Sequence, residues 1–167
     1  MIDLTWGLRE GRRAKIIMEH GELIIEMGDI EKLTTQERLQ RIGASESTLC
    51  KLCSTDPGTT EHELISCSYN SNCGNLLVNC LQAYLPNLSP HKLLHLELHG
   101  LDPATELPAT ILVAVTLSSI WKQRSSNTRV CIYTVRSELE LAVSLLRTTR
   151  LVNAAETLDT LQQLMFH

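Results

Sequence analysis

The sequence predicts a mostly α-helical protein, a small CCHC zinc-binding module followed by a helical bundle. Three observations predict it. From Leu76 onward, apolar residues recur at helical spacing, with caps and breakers between the runs. Between Cys50 and Cys67, cysteines and a histidine fall at metal-ligand spacing. Few stretches alternate apolar and polar residues as half-buried strands do.

Composition sets the bounds. With 167 residues and 43% hydrophobic side chains, the chain can bury a core without disulfide staples and is too apolar for a disordered polymer. The net charge of −4 argues against a surface that is basic all over. Two tryptophans, three tyrosines and one phenylalanine leave little material for stacking bases. Only residues 111–167 are mildly basic, with 6 Lys/Arg against 4 Asp/Glu. Lys122, Arg124, Arg129 and Arg136 lie there and are the candidates for contact with RNA or DNA.

No secretory signal is visible in residues 1–10, so the chain is expected inside the cell, in the nucleus or cytoplasm. Its six cysteines should then be reduced, which favours metal over disulfides. The apolar stretch 107–121 is shorter than the roughly 20 residues a bilayer needs, so it reads as a buried helix and no membrane contact is expected.

The elements follow in chain order. Residues 9–15 are polar and basic, while Leu23, Ile24 and Ile25 suit a short strand or a helix end. Thr34 with Glu37 has the capping-box spacing, opening a helix that Gly43 ends. Asp56-Pro57-Gly58 is a turn signal, and Thr60 with Glu63 is a second capping box. Residues 76–85 carry a helical stripe of Leu76, Leu77, Cys80, Leu81 and Tyr84. Ser89-Pro90 fits an N-cap with Pro at N1. After the turn Gly100-Leu101-Asp102-Pro103, residues 106–124 form a long apolar helix, broken at Ser125-Ser126-Asn127. Residues 130–150 form another, with Val135, Leu139, Ala142, Val143 and Leu146 on one face. Asn153 caps a last helix through Leu158, Leu161 and Leu164. Residues 1–33 are then an N-terminal segment, 34–70 a helix plus the cysteine module, and 71–167 a helical domain.

The chemistry lies in C-x2-C-x8-H-x4-C: Cys50, Cys53, His62 and Cys67. Zn²⁺ takes four soft ligands in a tetrahedron, and two cysteines two residues apart can aim both sulfurs at one point. His62 and Cys67 are five positions apart, about 140° on a regular helix, so the helix should bend or end near Ser66 to share a metal. Cys73 is the alternative fourth ligand, at a longer gap. Cys80 and Cys131 read as buried thiols, and His91, His95 and His99 as a partly exposed helix face. Four protein ligands leave no open position, so the zinc would be structural. Paired aspartates for two-metal chemistry, a G-x-S-x-G motif and a phosphate-cradling loop are all missing, and no enzyme activity is expected.

The run Leu33-Thr34-Thr35-Gln36-Glu37-Arg38-Leu39-Gln40-Arg41-Ile42-Gly43, then Leu49-Cys50-Lys51-Leu52-Cys53, then Thr60-Glu61-His62-Glu63-Leu64 and Cys67, resembles the C-terminal zinc-binding region of non-LTR (LINE-type) retrotransposon reverse transcriptases. Leu117-Ser118-Ser119-Ile120-Trp121-Lys122 and Arg136-Ser137-Glu138-Leu139-Glu140 look like the tail of such elements. The resemblance implies that Cys50, Cys53, His62 and Cys67 ligate zinc. It also implies a non-catalytic accessory module that helps hold RNA or DNA beside an upstream polymerase region, of which residues 1–33 would be the end. The alternative is a zinc-stabilised protein–protein interaction domain, a co-opted or non-functional retroelement fragment.

Overall fold

A computed structural model describes residues 2–7, 13–19, 22–26, 33–70 and 72–167, the first three segments by their backbone alone. Strands β1 (Ile2–Gly7), β2 (Arg13–Glu19) and β3 (Glu22–Glu26) form an antiparallel sheet in the order β1-β2-β3. Ile16 pairs with Leu4 on one side and Ile25 on the other. The short strand foreseen at Leu23-Ile24-Ile25 is thus one of three, and the basic stretch partly enters β2. β1 does carry a strand signal that the expectation for residues 1–33 passes over, Ile2, Leu4 and Trp6 alternating with Asp3, Thr5 and Gly7; Ile16-Ile17-Met18 and Leu23-Ile24-Ile25 are continuous apolar runs, which do not alternate.

Among the described residues that follow, the α-helices are α1 (Gln36–Arg41), α2 (Cys73–Gln82), α3 (Pro90–Leu94), α4 (Pro103–Ser125), α5 (Ile132–Thr148) and α6 (Val152–Phe166). Mostly α with a Cys/His module ahead of a bundle is therefore the observed class. Two starts move upstream of expectation. Asp102 caps α4, accepting from the Ala104 and Thr105 amides, with Pro103 at N1. Its carboxyl is held below the usual range, chiefly by the Thr105 hydroxyl. α2 begins at Cys73, three residues before the stripe, with Asn72 in the left-handed region before it. Ser89 caps α3 as expected. Asn153 does not cap α6, which starts one residue earlier without a side-chain cap.

α4 is the axis of the bundle, with α2, α5 and α6 all packed on it. Its buried side chains include Ile111, Leu112, Val113, Ala114, Val115 and Thr116 in succession, so no face is left for water. At 23 residues it exceeds the apolar stretch read from sequence and is long and apolar enough to cross a membrane. Within the fold, 67% of its most apolar window is buried. α5 buries the five residues foreseen for its face. On α6, Leu158 and Leu161 are buried but Leu164 is exposed, and Ala155 and Met165 complete the inner face instead.

One core spans the described helical residues. Leu64 and Ile65, from the cysteine module, belong to the same buried cluster as Leu77, Leu112 and Leu158. Gly74 lets α2 sit directly on the module, because a Cβ there would lie 2.3 Å from the Ile65 Cα. The expected division near residue 71 is a change in local structure, and the hydrophobic core crosses it.

Candidate metal centre

A narrow antiparallel loop builds the first half of the site. Leu49 bridges Pro57, the Cys50 amide donates to the Asp56 carbonyl at 2.8 Å, and Gly58 N donates to Thr48 O at 2.7 Å. The chain reverses at Leu52-Cys53-Ser54, where Ser54 takes a positive φ of 58°. Asp56-Pro57-Gly58, expected to make the turn, lies on the returning arm. Gly58 is needed there for close approach: a Cβ would come within 2.5 Å of Gln36 Cβ and Glu63 Oε1.

The second half is a single π-helical turn, His62–Ser66, closed by the Cys67 amide donating to the His62 carbonyl at 2.8 Å. The wider turn resolves the five-residue problem, and Cys67 then leaves in extended backbone. Thr59, one residue before the Thr60 expected, accepts from the His62 amide. Likewise Thr35, not Thr34, caps α1, accepting from Arg38 N at 3.4 Å. Neither glutamate closes its box. Glu37 pairs with Arg41, and Glu63 turns inward to accept the Gln36 amide at 3.0 Å. A carboxylate supplied from 27 residues away thus does for α1 what a local cap would have done.

Together these segments bring one ligand atom each from Cys50, Cys53, His62 and Cys67 within 4.8 Å of one another. Cys50 Sγ and Cys67 Sγ lie 3.8 Å apart, and Cys53 Sγ lies 3.2 Å from His62 Nε2. A tetrahedron with metal–sulfur bonds near 2.3 Å and metal–nitrogen bonds near 2.05 Å has edges of about 3.8 and 3.6 Å. The sulfur–sulfur edge matches and the sulfur–nitrogen edge is shorter, and by type and spacing the four donors could hold a tetrahedral metal ion. His62 Nδ1 lies 3.5 Å from Ser66 Oγ, which orients Nε2 toward the sulfurs. Cys73, the alternative fourth ligand, is fully buried in the core and outside the cluster.

The centre is asymmetric. Cys50 and Cys67 are each 1% exposed, whereas Cys53 and His62 are half-buried. Burial pushes the Cys67 thiol up to about 11, against the Tyr69 amide and Arg124. At Cys53 burial pushes the same way but is outweighed by the Thr55 hydroxyl, the Thr55 and Asp56 amides and His62, which bring it down to about 5. Burial raises the Glu63 carboxyl, opposed by the Gln36 amide, Arg124 and His62.

The four basic candidates fare differently. Arg124 is buried and turned into the metal centre, so it cannot meet a phosphate. Sequence alone could not separate it from its neighbours. Lys122 pairs with Glu138 at 3.4 Å and Arg136 with Glu140 at 3.2 Å. Arg129 is exposed between α4 and α5. Of the remaining thiols, Cys80 is buried and donates to the Leu161 carbonyl. Cys131 is exposed, contrary to expectation, because it precedes the first turn of α5 rather than sitting on its inner face. His91, His95 and His99 are exposed, with the first two rings 4.5 Å apart.

No family model matches the chain, and no curated protein or solved structure gives a significant match.

Proposed function

We propose that the chain is a non-catalytic accessory module built around a structural zinc ion held by Cys50, Cys53, His62 and Cys67. The observation that carries this reading is the convergence of three sulfurs and one imidazole nitrogen within 4.8 Å. Three thiolates and a nitrogen favour zinc over the hard, oxygen-seeking cations. With four protein donors no coordination position is left for substrate, so the ion would shape the loop and do no chemistry. The role follows the resemblance to retrotransposon reverse transcriptases: holding RNA or DNA for a polymerase region, in a reducing compartment of the cell.

One observation favours a second reading, a zinc-stabilised protein interaction domain. Of the four cations suggested for nucleic acid, one is buried and two are ion-paired. Metal analysis of the purified chain tests the zinc, with one equivalent expected. Gel retardation at two salt concentrations separates the roles. Retention that falls steeply with salt supports nucleic-acid holding through phosphate contacts, and no retention at low salt supports the protein partner. Primer extension by the pure chain, abolished by a point substitution in it, would overturn the non-catalytic part.

A further inference from the structure

Arg124 occupies the last turn of α4, 54 to 74 residues from its partners in the module. Only 7% of it is exposed. A buried guanidinium costs several kcal/mol unless its surroundings compensate it. Its Nη2 donates to Cys50 Sγ at 3.0 Å and its Nη1 to Asn70 Oδ1 at 3.1 Å, while Nη2 is 3.8 Å from Glu63 Oε2. Cys67, whose Sγ lies 3.8 Å from that of Cys50, sits close enough for the guanidinium to act on its thiol. Asn70 is fixed in turn, its Nδ2 donating to the Glu63 carbonyl at 2.9 Å.

The closest approach of this cation is to a sulfur, with its nearest carboxylate 0.8 Å further off. A neutral thiol is a weak acceptor and gives a buried arginine little reason to face it. A thiolate is a strong, charged one. Zn²⁺ with three thiolates and a neutral imidazole carries one net negative charge, and the Cys50 and Cys67 side of the centre is enclosed away from solvent. Cys50, which meets Arg124, and its neighbour Cys67 are the two buried thiols of the cluster.

Resting on the zinc reading above, we infer that Arg124 is a positioning residue of the metal centre. It orients the Cys50 thiolate, brings a positive charge beside the filled site and couples metal occupancy to α4. The ligands themselves come from the loop and the π turn. The grip on them comes from the bundle.

The test uses the full chain loaded with zinc or with cobalt(II), whose thiolate-to-metal absorption reports on the sulfurs directly. Arg124→Met is expected to weaken zinc binding 10- to 100-fold, as loss of an outer hydrogen-bond partner does, and to shift the cobalt–thiolate band. Arg124→Lys keeps the charge but not the fork, and should recover part of the affinity with a band between the two. Arg147→Met removes a surface cation paired with Asp159, away from the module, and should leave both affinity and band unchanged. If Arg124→Met does not fold, Arg124→Lys carries the test alone. A folded variant at position 124 with wild-type zinc affinity and an unshifted band would overturn the inference while leaving the zinc reading intact. A wild-type chain that takes up neither metal would overturn both.

Discussion

Replacing Gly74 by alanine adds one methyl group where the module meets the bundle. The new Cβ would lie 2.3 Å from Ile65 Cα, 2.6 Å from Ile65 O and 2.8 Å from Ile65 C. All three are backbone atoms, so no side chain can swing aside. Restoring ordinary contact requires α2 and the π turn to part by roughly 1 Å, an overpacking that costs on the order of 2 kcal/mol. The better helix propensity of alanine returns at most about 1 kcal/mol, and less in a first turn. Ile65 lies between His62 and Cys67, so its displacement should also pull the ligands apart. We expect a net loss of about 1–2 kcal/mol in urea unfolding, which corresponds to a drop of roughly 2–8 °C in Tm for a domain of this size, together with weaker zinc binding. Gly43→Ala is the control. Gly43 has φ +73° and nothing within 4 Å of a new Cβ. It should lose about 1–2 kcal/mol through left-handed strain alone and keep its zinc affinity. The reasoning fails if Gly74→Ala unfolds within 0.5 kcal/mol of wild type, the ordinary spread of neutral substitutions, or binds zinc as tightly as Gly43→Ala does.

Other outcomes follow from the same geometry. Cys67→Ser should abolish stoichiometric zinc in metal analysis while Cys73→Ser keeps it, because Cys73 belongs to the core and not to the cluster. Chelation should lower the midpoint of a single helical melting transition followed by circular dichroism, since Leu64 and Ile65 share the core with the bundle; a loop that melts alone, with the helical midpoint unmoved, would contradict this. In the metal-free protein at pH 7, mass-mapped alkylation should label Cys53 before Cys50 or Cys67, for it is half-buried with its thiol near 5 while they are enclosed. Burial raises the Cys80 thiol from 9.0 to about 11, so the folded state holds a proton the unfolded state has released. Stability should therefore be intact below about pH 9 and fall as pH rises to 11, and Cys80→Ala should flatten that part of the profile.

Much of this protein is determined locally and was legible in sequence. The inner face of α5, the Ser89-Pro90 start of α3 and the four-donor set each depend on spacings of a few residues. The end of the helical segment at Ser66 was legible too, because 3.6 residues per turn cannot put His62 and Cys67 on one metal. Tertiary structure decided what spacing leaves open. Both capping boxes satisfied the local rule, yet Glu63 is more valuable as a buried acceptor for Gln36 and a partner for Arg124 than as a cap on its own turn. β1 was legible in its alternation and β3 in part, while the β2 run Ile16-Ile17-Met18 carries no period, so their pairing into one sheet was not. Arg124 was hidden because one arginine in a basic stretch looks like any other, and burial alone separates a solvated cation from one aimed at a cysteine sulfur. Ligand spacing is a property of consecutive residues, whereas the charge balance of a buried centre is set by whichever distant side chain the fold brings beside it.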